Sequence, residues 1–159
     1  MKLPIRLALA GAAAVLALAG CGPKAADQPQ PPEIAYGQDL CEACGMLIDS
    51  PQFAAAAVTT AGGAHKFDDL AEMILYHQEH PEEQVRAWFV HDYESEAWIR
   101  AETAFFVEGE AIHSPMGHGL AAFETEAAAQ RVADQVGSVV LSFDTARAEV
   151  LKMDHSAHN

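Results

Sequence analysis

The chain has 159 residues, half of them hydrophobic, and a formal net charge of −14. Fifteen of the first 20 residues are apolar, so the apolar excess sits in a leader, and the 139 residues left make one domain of ordinary size rather than two. Losing Lys2 and Arg6 with the leader takes the charge to −16. That excludes nucleic acid as a partner, because its binding depends on Lys and Arg neutralising phosphates, and it excludes a polybasic membrane-surface protein.

Residues 1–20 read as a secretory signal, with Lys2 and Arg6 first, an apolar run over 7–19, and small residues before Cys21. The run is 13 residues long, whereas a membrane-spanning helix needs about 20. Leu18-Ala19-Gly20-Cys21 resembles a bacterial lipobox, which implies that Cys21 carries the lipid (palmitate among its acyl chains) and begins the mature chain. Gly22 stands where an inner-membrane retention signal would place Asp, so the expected location is the outer membrane, facing the periplasm. Residues 21–38, with Pro23, Pro29, Pro31 and Pro32 and few large apolar groups, predict an extended tether.

Cys41-Glu42-Ala43-Cys44-Gly45-Met46 follows directly. Residues 53–60 then predict a strand, turned at Gly62-Gly63, with His65-Lys66-Phe67 as a short second strand. Asp68 or Asp69 caps a helix to about His80 that carries Leu70, Met73, Ile74 and His77 on one face. Pro81 ends it, and residues 85–90 form a strand. Residues 97–107 read as one strand, turned at Glu108-Gly109-Glu110, and the loop His113-Ser114-Pro115-Met116-Gly117-His118-Gly119 leads into Leu120-Ala121-Ala122-Phe123. Thr125 caps a helix to about Val136, Gly137 stops it, and residues 138–143 make the last strand. The order β-β-α-β thus occurs twice, over about 53–92 and 95–144. The expected fold is α+β: two tandem ββαβ units with mixed sheets, packed into one domain over 39–150 and followed by a His-bearing flexible tail, 151–159. His77 is expected in the core, and His80 and His91 at solvent-facing element ends.

With Cys21 committed to lipid, Cys41 and Cys44 remain for chemistry. A c-type haem site is excluded because Gly45, not His, follows the second cysteine. A zinc site, a thiol redox pair and a structural disulfide each use the pair; zinc finds only the distant His65 as a further ligand, and redox lacks the preceding strand. A fourth reading adds Met46. A thiolate and a thioether two positions apart, with Gly45 letting the chain bend between them, form a soft claw suited to Cu(I). Met116 supports this reading, since a methionine held in a Gly- and Pro-rich loop between His113 and His118 is not filling a helix face. Either histidine is a candidate further ligand.

The lipobox and tether, Cys-x-x-Cys-Gly-Met, Lys66-Phe67-Asp68-Asp69-Leu70 and Ser114-Pro115-Met116-Gly117-His118-Gly119-Leu120 with Phe123 together resemble the NosL family, lipoproteins associated with assembly of nitrous oxide reductase, the copper enzyme of denitrification. The resemblance covers nearly the whole mature chain. It implies Cu(I) held by Cys44, Met46 and Met116, with Cys41 less firmly a ligand. It implies as partners the apo nitrous oxide reductase and its membrane maturation machinery, to which the chain would deliver copper as a chaperone. No proton-transfer dyad, activated nucleophile or phosphate loop stands in the sequence, so an enzyme is not expected. The competing function is a periplasmic thiol-disulfide oxidoreductase using Cys41 and Cys44.

Overall fold

The computed structural model describes residues 28–157. The expected signal peptide, Cys21 as the expected lipidation site and the first part of the expected tether lie outside the described residues, as do His158 and Asn159. A short 3-10 turn, Pro51–Phe53, leads into β1 (Ala55–Thr59), β2 (Ala64–Phe67), α1 (Leu70–Glu79), β3 (Val85–His91) and β4 (Trp98–Arg100). A second 3-10 turn, Ala101–Thr103, precedes β5 (Phe105–Glu108), β6 (Leu120–Phe123), α2 (Glu126–Val136), β7 (Val140–Leu141) and α3 (Phe143–Ala157).

The ββαβ unit occurs twice, and the two copies build their sheets alike. The first sheet has the order β2-β1-β3-β4 and the second β6-β5-β7. In each, the first strand of the unit lies at the centre and the crossover helix joins its two flanking strands. All the ladders of both sheets are antiparallel, not mixed as expected. The crossover does make β2 and β3 run the same way, but β1 lies between them. Ala55 sits opposite Phe67 on one side and Val90 on the other, and Phe106 opposite Ala122 and Leu141.

The helix boundaries follow their caps. Asp69 caps α1 by accepting from the Ala71 N–H at 2.8 Å, and Thr125 caps α2 by accepting from Ala128 at 3.2 Å. Gly137 ends α2 in the left-handed conformation, φ 72°. Leu70, Met73 and Ile74 are buried, as their spacing predicts.

Four features depart from the sequence reading. Residues 97–107 break at the 3-10 turn, so that β4 completes the first sheet and only β5 enters the second. The final strand shrinks to Val140–Leu141, and the chain continues as α3 through residues read as a flexible tail. Ser142 caps this helix, accepting from the Thr145 N–H at 3.3 Å. Phe143, Ala146 and Val150 fall on one face and are buried, and they join Phe67, Leu70, Met73, Val90 and Phe106 in one core shared by both halves. The end of the tether is docked: Ile34 is buried in that core, and the Tyr36 hydroxyl lies 3.0 Å from His91 Nε2. His91 is therefore inside, not solvent-facing, with Nδ1 2.9 Å from the Ala54 carbonyl.

Two carboxylates join the halves. Asp92 receives the Glu124 N–H at 2.8 Å beside a parallel bridge to Ala122. Asp69, fully buried, receives the Met116 N–H at 3.2 Å. Asp69→Ala strips a cap and leaves a buried N–H unpaired, so the loss expected is on the order of 3 kcal/mol. Urea denaturation measures it, and a loss below about 0.5 kcal/mol, the scale of an ordinary surface change, contradicts this role.

His77 packs among the rings of His65, Phe67, Tyr76 and Trp88. Burial, followed by the nearby His65, pushes its pKa from 6.5 down to about 4. The unfolded chain thus takes up this proton first, so the stability present above pH 6.5 is lost as the pH falls towards about 4. His77→Leu should flatten that slope in unfolding midpoints compared across this range; an unchanged slope contradicts the assignment.

Candidate metal centre

The sulfur-bearing segment forms a small hairpin. Leu40 and Leu47 pair as an antiparallel bridge, the Cys41 N–H donates to the Met46 carbonyl at 2.8 Å, and the Ile48 N–H donates to Asp39 at 2.9 Å. At its tip the Gly45 N–H closes one helical turn onto the Cys41 carbonyl at 2.9 Å. Gly45 has φ 73°, a conformation that costs glycine little. This turn brings residues three apart, Cys41 and Cys44, to the same side.

Strand β2 holds the hairpin in place. The Glu42 N–H donates to the Lys66 carbonyl at 2.9 Å, and Lys66 Nζ reaches Asp39 at 2.7 Å. The Lys66 ammonium, with the Ala35 amide, keeps the Asp39 carboxyl below its usual range. Two residues beyond Lys66 stands Asp68, at the β2–α1 junction.

Cys41, Cys44 and Asp68 each place a ligand atom in one cluster, all within 4.8 Å of one another. Cys44 Sγ–H donates to Asp68 Oδ1 at 3.6 Å. Cys41 is 3 % exposed and Cys44 half-buried, and both are free thiols. Burial above all pushes the Cys41 thiol up to about 12. A metal therefore has to displace a proton there, and its hold on the site strengthens with pH.

The other expected ligands lie at varying remove. Met46 is exposed at the edge of the hairpin. Met116 is half-buried, in the loop of the second half, and its N–H is bound to Asp69, the residue after Asp68. His118 Nδ1 lies 3.7 Å from Asp69 Oδ1. Burial opposes ionisation of Asp69, but hydrogen bonds from His118, Ser114 and the Ala71 amide outweigh it and hold the carboxyl below its usual range. His113 points to solvent and makes no hydrogen bond or ion pair among the described residues. The second half thus delivers the backbone of Met116 and the ring of His118 to the end of α1 where the two thiols gather.

Sequence reasoning missed Asp68 as a donor. It read the Asp68-Asp69 pair as alternative caps, whereas the structure gives the cap to Asp69 and turns Asp68 towards the thiols. The signal available was the doubled carboxylate, since one cap requires only one.

Chemically, the cluster combines two thiol sulfurs and one buried carboxylate. Sulfur donors in a partly dry setting select soft transition metals over magnesium or calcium.

The NosL family model matches residues 33–151. The chain is 33 % identical over 139 residues to the copper-binding lipoprotein NosL of Stutzerimonas stutzeri, an alignment covering 80 % of this chain and 72 % of that protein. Among solved structures it resembles the copper chaperone NosL from Shewanella denitrificans, with a TM-score of 0.64 and 22 % identity, over 74 % of this chain and 96 % of that one. At that identity the likeness bears on the fold, and neither relative is named as an enzyme. The ordered motifs, the paired ββαβ units and these matches agree: the chain belongs to the NosL family.

Proposed function

We propose that this chain is a lipid-anchored copper chaperone, tethered through Cys21 to the outer membrane, that binds Cu(I) on the periplasmic side and delivers it to apo nitrous oxide reductase with the membrane machinery of its maturation. The observation that carries the reading is the convergence of Cys41, Cys44 and Asp68 within 4.8 Å beside an exposed methionine. The names of the two relatives, one copper-binding and one a copper chaperone, support it. Among the described residues no helix is long and apolar enough to cross a membrane, which is compatible with an anchor supplied by lipid.

In this reading Cys44, Met46 and Met116 hold the cargo, with Cys41 and His118 as further donors; His113, exposed as it is, contributes least. Thiolate supplies most of the affinity, and thioether donors, being neutral, moderate it. Asp68 accepts the hydrogen bond of the Cys44 thiol and orients that sulfur. Exposure of Met46 leaves one side open to an incoming ligand, so transfer proceeds by exchange of sulfur donors.

Titration of the mature chain with Cu(I) against a competing chelator tests the site. Cys44→Ser and Met116→Ala should each weaken binding by at least about tenfold, and Asp68→Asn by a similar factor through lost orientation. If both ligand variants bind as tightly as the parent, the site is wrong.

The alternative, a thiol oxidoreductase, draws on the closeness of the two thiols. Its attacking sulfur would need to be accessible and readily ionised, and Cys41 is neither. Alkylation of the metal-free chain at pH 8 should modify Cys44 at least about tenfold faster than Cys41, read by peptide mass mapping. Faster modification of Cys41, or thiol-exchange turnover that requires it, would favour the redox reading instead.

A further inference from the structure

The large hydrophobic side chains left exposed among the described residues are Tyr36, Leu40, Met46, Leu47 and Val139, and four of these five belong to the sulfur hairpin and the segment entering it. Leu40 is 59 % and Leu47 52 % exposed. They occupy facing positions of an antiparallel bridge, flanked by hydrogen bonds from Cys41 to Met46 and from Ile48 to Asp39. That is the non-hydrogen-bonded kind of pair, whose side chains stand closest together. An isolated exposed leucine is ordinary, but a facing pair beside an exposed methionine forms a patch.

The stretch of chain that carries the patch is strongly acidic. Between Gln28 and Val85 the chain carries ten carboxylates and one lysine, and that lysine, Lys66, is committed to Asp39 at 2.7 Å. Beside the hairpin tip opens a cleft of about 540 Å³, lined by Glu42, Ala43, Glu72, Tyr76, Glu79 and His80 among others. Burial, and after it the neighbouring Asp68, Asp69 and Glu79, push the Glu72 carboxyl above its usual range, against the opposing pull of His118. The cleft is thus a region where negative charge is crowded.

We infer that the Leu40–Leu47 patch and the acidic cleft together form the docking surface for the protein that accepts the copper, and that the acceptor offers an apolar knob rimmed by Lys and Arg next to its own metal-binding group. The inference rests on the delivery reading above. Charge selects this occupant. A second copy would set one acidic cleft and one strongly negative domain against another, and an anionic bilayer would be repelled in the same way. A basic rim draws the partner in over a distance, and the apolar contact then seats it with the copper loop at the centre.

The test follows copper leaving the full mature chain towards two acceptors, a small anionic chelator and apo nitrous oxide reductase. Leu40→Ser/Leu47→Ser should surrender copper to the chelator within about twofold of the parent, and should load the reductase about tenfold more slowly or worse. Glu72→Gln/Glu79→Gln should slow loading of the reductase at low salt and weaken its salt dependence. Parent-like loading by both double variants, with chelator rates unchanged, overturns the docking surface and leaves delivery standing. A parent that yields copper to the chelator but never to the reductase overturns delivery, and this surface with it. The inference is also overturned if the parent sediments as a dimer that Leu40→Ser/Leu47→Ser dissolves, or if it binds lipid vesicles through those two leucines.

Discussion

The arrangement depends on one buried carboxylate. Asp69 caps α1, receives the backbone N–H of Met116, and sits against Ser114 and His118. It thereby makes the first turn of a helix in one half the attachment point for a loop of the other. Without this link the two ββαβ units would still share a core and the Asp92 junction, but the Met116 loop would lose its anchor on the helix that starts beside the thiols. A carboxylate with no solvent access is tolerated only when donors surround it, and here those donors are the loop that has to be positioned. The need to satisfy a buried charge and the need to place Met116 are met by the same contacts. Gly119 lets the loop return: φ is +64°, and a Cβ there would stand 2.5 Å from the Gly109 carbonyl oxygen.

The sulfur hairpin is positioned by different means. It has no long ladder of its own and leans on β2, through the Lys66 carbonyl and the Lys66–Asp39 pair. It leans also on the docked segment before it, where Ile34 enters the core and Tyr36 reaches His91. The buried thiol of Cys41 belongs to that same core, so the inner edge of the candidate site is the outer edge of the hydrophobic cluster. The outer edge, with Met46, Leu40 and Leu47, faces solvent. This asymmetry, one side dry and one side open, is what the proposed holding and release of a soft cation would use.

Local signals made much of this visible in advance. The helix starts at Asp69 and Thr125 and the stop at Gly137 are local hydrogen-bonding and backbone effects, and they stand where the side chains indicate. The Ala-rich β1 was legible as a strand mainly because it lay between turn signals; alanine itself has no preference for that state. Its burial between β2 and β3 explains it, since small side chains allow α1 to lie close. The helix α3 was missed because Val140 and Leu141 continued a β-like run into Phe143, and the i, i+3, i+7 spacing of Phe143, Ala146 and Val150 began inside it. His91 was misplaced because the end of a strand is exposed only if nothing docks on it, and Tyr36 comes from a segment whose prolines concealed its two anchoring side chains.

The amino-acid sequence by itself determined the inventory: a cysteine in a lipobox-like setting, an acidic domain, a twice-repeated order of elements, and a Cys-x-x-Cys-Gly-Met segment accompanied by a distant loop methionine. These are properties of spacing and chemical type, which need no partner to be read. Tertiary structure alone decided which carboxylate caps and which one faces the thiols, because Asp68 and Asp69 are chemically alike and differ only in where the β2–α1 junction turns them. It also decided which histidine of the pair flanking Met116 approaches the site. His118 lies by Asp69 and His113 lies in solvent, an outcome set by the path of a loop anchored from the other half of the molecule.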